Sequence, residues 1–121
     1  IVLIHSGYRD ATVDTEMRQT WLTAEAAQWL VDAGAATVGF EPATPDPIRL
    51  GLFEYGWGDP HGPNRPAWPA HMTLLGNGVL IIEGLVNLDR IRGRRVRFAA
   101  LPPNITGSSG LQVRAVAWLD R

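Results

Sequence analysis

The 121-residue chain contains no cysteine, which excludes a disulfide framework, a thiolate zinc cluster, an iron–sulfur centre and a cysteine nucleophile. Any metal must therefore be held by imidazole or carboxylate. Lysine is absent as well, all eleven basic residues being arginine, so a Schiff-base lysine and the lysines of phosphate-binding loops and kinases are excluded. Charge of one sign is also lacking. Eleven basic against twelve acidic residues leave a net charge of −1, which supplies no overall field to gather nucleic acid or an anionic membrane. No apolar run approaches the ~18 residues of a membrane span, and the opening Ile1-Val2-Leu3-Ile4-His5 lacks the basic region of a signal peptide. A cytoplasmic protein is expected. Residue 1 is isoleucine and opens directly onto a strand-like run, so a preceding segment is expected.

What is present suits a packed domain. With 45% hydrophobic and 19% charged residues, a chain of this length reads as one domain over residues 1–121, burying roughly two thirds of its unfolded surface. Ile1 to Ile4 predicts a buried strand and His5-Ser6-Gly7 its turn. From Thr23 to Ala33 the apolar residues Ala26, Ala27, Leu30 and Val31 recur at helical spacing, with Thr23 as cap, Glu25 at the positive end and Gly34 closing. Ala36 to Phe40 predicts a second buried strand, and strand, helix, strand in that order favours parallel pairing in an α/β sheet. Glu41 to Ala70 contains seven prolines together with Phe53, Tyr55, Trp57 and Trp68, and reads as a lid, binding loop or interface arm. Beyond it, His71 to Leu75 predicts a helical turn, Val79 to Glu83 a strand, Asn87 to Ile91 a turn, and Val96 to Leu101 and Val113 to Leu119 two further strands.

Few residues can carry chemistry. Glu83 ends the run Val79-Leu80-Ile81-Ile82, which reads as a strand buried on both faces. A carboxylate there is paired with an arginine, bound to a metal, or exposed at the strand end, because burial alone is costly. His71 is the histidine nearest to it in sequence. His5 and His61 read as hydrogen-bonded or solvated residues. Five arginines lie between Arg90 and Arg97, a pattern that fits a solvated strand edge or an ion-pair row better than a phosphate contact, given the net charge. Thr106 to Gly110 is a glycine-rich turn.

The segment from His71 to Asp89, with its histidine and glutamate twelve residues apart followed by Asn87-Leu88-Asp89, resembles the C-terminal motif of the cyclase family of metal-dependent hydrolases, which includes kynurenine formamidase and isatin hydrolase. Other segments resemble it too. Leu3 to Gly7 is similar to the family's strand ending in a Thr-Gly or Ser-Gly turn. Thr23 to Leu30 is similar to its Ser-x-Glu-Ala-Ala-x-Trp-Leu helix. Gly39 to Asp46 resembles its Gly-Ile-Asp segment, with Thr44 at the hydroxyl position. Gly93 to Phe98 and Val113 to Ala117 resemble its last strands.

The resemblance implies a swivelling β/β/α-type fold, a mixed sheet with flanking helices, here lacking the N-terminal strands. It implies metal-dependent hydrolysis of an amide, lactam or formamide, with His71 and Glu83 as ligands to zinc or manganese and Thr44 on the substrate side. The family's other ligands come from a His-x-x-x-His-x-Asp motif, which this chain does not contain. Two ligands do not make a catalytic metal site. The expected partners are therefore a small-molecule substrate and a second polypeptide or upstream segment carrying that motif, within a homo- or hetero-oligomer. The alternative is a non-catalytic remnant of the same scaffold that serves as a binding or interaction module.

Overall fold

The computed structural model describes residues 1–7, 20–46 and 68–119. It divides into two compact units, residues 1–86 and 87–121. The first contains β1 (Val2–Ile4), α1 (Ala24–Asp32), β2 (Thr37–Phe40), α2 (Pro69–Gly76) and β3 (Leu80–Ile82). The second contains a 3-10 turn (Leu88–Ile91), β4 (Arg97–Leu101) and β5 (Arg114–Trp118).

In the first unit the three strands form one parallel sheet in the order β1-β2-β3, with Ile4 beside Phe40 and Gly39 beside Ile82. The α/β class and the parallel pairing expected from the sequence are what the structure shows. Alternation along each strand places Val2, Ile4, Val38, Phe40 and Ile81 on one face, and these pack with Ala27 and Leu30 of α1 and Ala70 and Leu74 of α2. Both helices therefore lie against the same side of the sheet. Leu74 and Val38 are among the largest fully buried side chains, so a Leu74→Ala cavity is worth about 2–5 kcal/mol.

Helix α1 forms as its sequence dictates. Thr23 caps it by accepting from the Ala26 N–H at 3.2 Å, and Gly34, at φ +77°, reverses the chain where a side chain would be strained. Helix α2 differs from expectation, because it begins at Pro69, inside the stretch read as loop. Proline suits the first helical position, where its missing N–H removes nothing. Residues 47–67, with most of the aromatic loop, and residues 8–19 lie outside the described residues.

Strand β3 corrects one reading. Val79 to Glu83 reads as buried on both faces, yet among the described residues β3 stands at the edge of this sheet and Leu80 is 63% exposed. Leu80 pairs with Thr37 on the face away from the helices, so an apolar run that reads as central is covered on one side. On that same face Leu3 and Leu85 close over Gly39, where a Cβ would lie 2.9 Å and 2.7 Å from their methyl groups.

In the second unit β4 and β5 form an antiparallel ribbon pairing Phe98 with Ala117 and Ala100 with Ala115. The side chains from Arg90 to Arg97 are exposed wherever they are arginine, as a solvated row requires. No helix among the described residues is long and apolar enough to cross a membrane.

Candidate metal centre

Three elements converge at the C-terminal ends of the parallel strands, where open α/β sheets present their ligand-binding groups. Glu83 is the residue immediately after β3, His71 sits in the first turn of α2, and Asp46 lies in the turn that follows β2. Backbone bonds fix that turn from two sides: the Leu22 N–H donates to Pro45 O at 2.8 Å, and the Gly84 N–H donates to Pro42 O at 3.0 Å.

The twelve-residue spacing of His71 and Glu83 becomes proximity through the fold. From His71 the chain climbs the rest of α2 at about 1.5 Å per residue, turns at Asn77 and Gly78, and returns along β3 at about 3.3 Å per residue. Going and return roughly cancel. His71 Nε2 lies 3.5 Å from Glu83 Oε1. The separation is long for a hydrogen bond, but two ligands at about 2.0–2.2 Å from a tetrahedral ion sit roughly 3.3–3.6 Å apart. The pair fits one divalent cation between them.

The electrostatics point the same way. Burial pushes the Glu83 carboxyl above its ordinary value, the facing His71 ring pulls it back, and the Asp46 carboxylate adds to the rise. A carboxylate whose charge is penalised by its surroundings gains from a cation.

Asp46 is wholly buried. Its Oδ1 accepts from the Ala70 N–H at 2.8 Å, and its Oδ2 accepts from the His71 N–H at 3.1 Å and lies 2.7 Å from His71 Nδ1. It thus caps α2 from a distance, Trp68 at the cap position making no side-chain bond of this kind. Trp68 meets the His71 ring edge-on, with centroids 5.7 Å apart and planes at 83°. Both oxygens of Asp46 are engaged by the first turn of α2, and Oδ2 backs the His71 ring. In the sequence Asp46 stands out only as the end of the segment Gly39 to Asp46 that resembles the family's. The signal that finds it is a helix opening Trp-Pro-Ala-His, with no Ser, Thr, Asp or Asn at its cap: the orphan N–H groups then demand an acceptor from elsewhere.

Thr44 is buried, and its Oγ1 accepts from the Asp46 N–H at 3.3 Å, shaping the turn that presents Asp46. His5 lies one residue beyond β1, with Nε2 3.7 Å from Glu41 Oε1. Glu41 Oε2 accepts from the Ser6 N–H and Oγ at 2.9 Å and from the Gly7 N–H at 3.0 Å, which ties the ends of β1 and β2 together. His61 lies outside the described residues. Among the described residues no group of three or more His, Asp or Glu side chains could hold a metal.

The fold is α/β, and this pair stands at the C-terminal end of its parallel sheet. No protein-family profile matches the chain. It is 33% identical over 87 residues to a kynurenine formamidase of Salinibacter ruber (strain DSM 13855 / M31), a match that covers 72% of this chain and 34% of that protein. It also superimposes on a solved structure of a potential metal-dependent hydrolase with cyclase activity, with a TM-score of 0.54 and 23% identity, over 80% of this chain and 40% of that one. Both matches agree with the resemblance to the cyclase family carried by the sequence. It spans about a third of the length of the curated relative it matches.

Proposed function

We propose that this chain supplies two ligands, His71 Nε2 and Glu83, to the divalent cation of a hydrolase acting on an amide, lactam or formamide. The observation that carries this is the 3.5 Å approach of His71 Nε2 to Glu83 Oε1 at the end of β3, with the other ring nitrogen tied to a buried carboxylate. A divalent ion in such a site supplies activation of water for attack on a carbonyl carbon. The chain's own residues set its frame: Glu83 contributes negative charge, His71 a directed imidazole lone pair, and Trp68 a wall beside the ring. Imidazole with carboxylate suits zinc and manganese alike.

A catalytic site needs a third protein ligand. Our reading assigns it to a His-x-x-x-His-x-Asp motif on a second polypeptide or an upstream segment, with the substrate, a small molecule, enclosed between the two parts of a homo- or hetero-oligomer. Thr44 stands in the turn beside Asp46 and is assigned to the substrate side. A Thr44→Val variant that raises KM and leaves metal content unchanged supports that role, whereas an unchanged KM removes it. The whole reading is tested by intact mass and metal content of the native assembly. A companion with the motif and about one metal per pair supports it; a single 13.2 kDa species without metal overturns it.

A second reading, an interaction module without turnover, is favoured by the exposed apolar side chains of the β4–β5 ribbon, Leu101, Val116 and Trp118. It predicts a stable assembly that binds no metal in the same measurement.

A further inference from the structure

We propose that Asp46 is a positioning residue that fixes the proton on Nδ1 of His71 and thereby decides which ring nitrogen is presented to a divalent cation; the inference rests on the metal-centre reading and deepens it. A cap needs only backbone donors, and Asp46 has two of them, Ala70 N–H and His71 N–H. The contact with the ring is additional. Oδ2 receives the His71 backbone N–H at 3.1 Å and sits 2.7 Å from Nδ1 of the same residue. A carboxylate oxygen can only accept, so Nδ1 carries the hydrogen and the neutral ring keeps its lone pair on Nε2. Nε2 is the nitrogen that faces Glu83. Because one oxygen grips both the backbone and the ring of His71, the side-chain torsions are held at two points, and the edge-on Trp68 confines the ring from another side. Full burial keeps water from competing for these bonds. A carboxylate behind an imidazole in this way fixes tautomer and direction and raises ligand basicity.

The substitution that separates positioning from capping is Asp46→Asn. Its amide oxygen, in the place of Oδ1, still accepts from the Ala70 N–H, whereas its NH₂, in the place of Oδ2, gives up the His71 backbone N–H, requires an acceptor at Nδ1 and drives the hydrogen to Nε2. The experiment records the imidazole nitrogen resonances of the metal-free full chain by ¹H–¹⁵N NMR at a pH where the ring is neutral, with His71→Gln identifying the signals. Zinc and manganese titrations by calorimetry follow on the native assembly of each protein, because this chain supplies only two of the ligands that the metal reading requires.

The wild-type chain is expected to show the Nδ1–H form, and Asp46→Asn the Nε2–H form with metal affinity about 10–100-fold lower and helical circular dichroism retained. An Nε2–H ring in the wild-type chain overturns the proposal without needing any variant to fold. An Asn variant with unchanged tautomer and affinity also overturns it and leaves Asp46 as a cap alone. An Nδ1–H ring that moves in the variant while neither native assembly binds zinc or manganese supports the positioning of His71 and overturns the metal reading, so the two failures are told apart.

Discussion

His71 and Glu83 face each other at 3.5 Å across the end of β3, each held by a different element and each with a reason to accept a cation between them. The glutamate is partly buried, with 39% of its side chain exposed, and its charge is penalised there. The histidine has its other nitrogen occupied by Asp46. Neither residue alone marks a site; their separation and their supports do.

The raised Glu83 value makes a pH prediction for the metal-free chain. Because the folded-state pKa lies above the unfolded one, the stability linked to this group is fully present below about pH 4.3, the ordinary glutamate value, and is lost as pH rises through the folded-state value. Glu83→Gln removes the penalty. In chelator, the variant is expected to melt at a higher temperature than the wild type near pH 7 and at the same temperature near pH 4. A variant that melts lower at pH 7 would show that the carboxylate is satisfied without a cation.

Thr23→Ala tests the frame rather than the site. It removes the cap of α1 and is expected to cost about 1 kcal/mol in denaturant unfolding. It should leave zinc affinity unchanged, since α1 contributes no ligand. The fully exposed Glu25, which lies below its ordinary value through its own backbone N–H first and Thr23 second, contributes stability that is present above the unfolded carboxyl range and fades as pH falls. Part of that dependence should vanish with the Thr23 hydroxyl, and a pH profile of stability identical in both proteins contradicts the assignment.

Gly39 sets how closely Leu3 and Leu85 pack on the second face of the sheet. A methyl group at this position meets Leu85 Cδ1 at 2.7 Å and Leu3 Cδ2 at 2.9 Å. Overpacking typically costs about 1–3 kcal/mol, and flexible leucine ends place Gly39→Ala near the lower bound. Thermal melts of Gly39→Ala and of the double variant with Leu85→Val check this. The second substitution should recover part of the loss, and simple additivity of the two would contradict the contact.

Much of the fold was legible because it is local. Thr23, the apolar stripe from Ala26 to Val31, and Gly34 lie within one short window, and their helix formed as read. The apolar strands and their parallel order were legible for the same reason. The start of α2 was not. Its acceptor, Asp46, stands 24 residues before Ala70 in sequence, and no window joins them. Glu83 is less buried than its apolar run suggests, because such a run does not reveal whether one face of its strand is left open, as the exposed Leu80 shows.

The site divides in the same way. His71 and Glu83 were singled out by resemblance and by an acid ending an apolar run, and the fold brings them together. Asp46 became visible only in the fold, which sets the first turn of α2 beside the turn after β2.

The most direct test is metal occupancy in the native assembly, measured by plasma mass spectrometry beside the Glu83→Gln and His71→Ala variants, with circular dichroism confirming that each is folded. The account predicts about one zinc or manganese per assembled pair in the wild type and loss of that metal in both variants. Full occupancy in either folded variant would contradict the claim that His71 and Glu83 hold the cation.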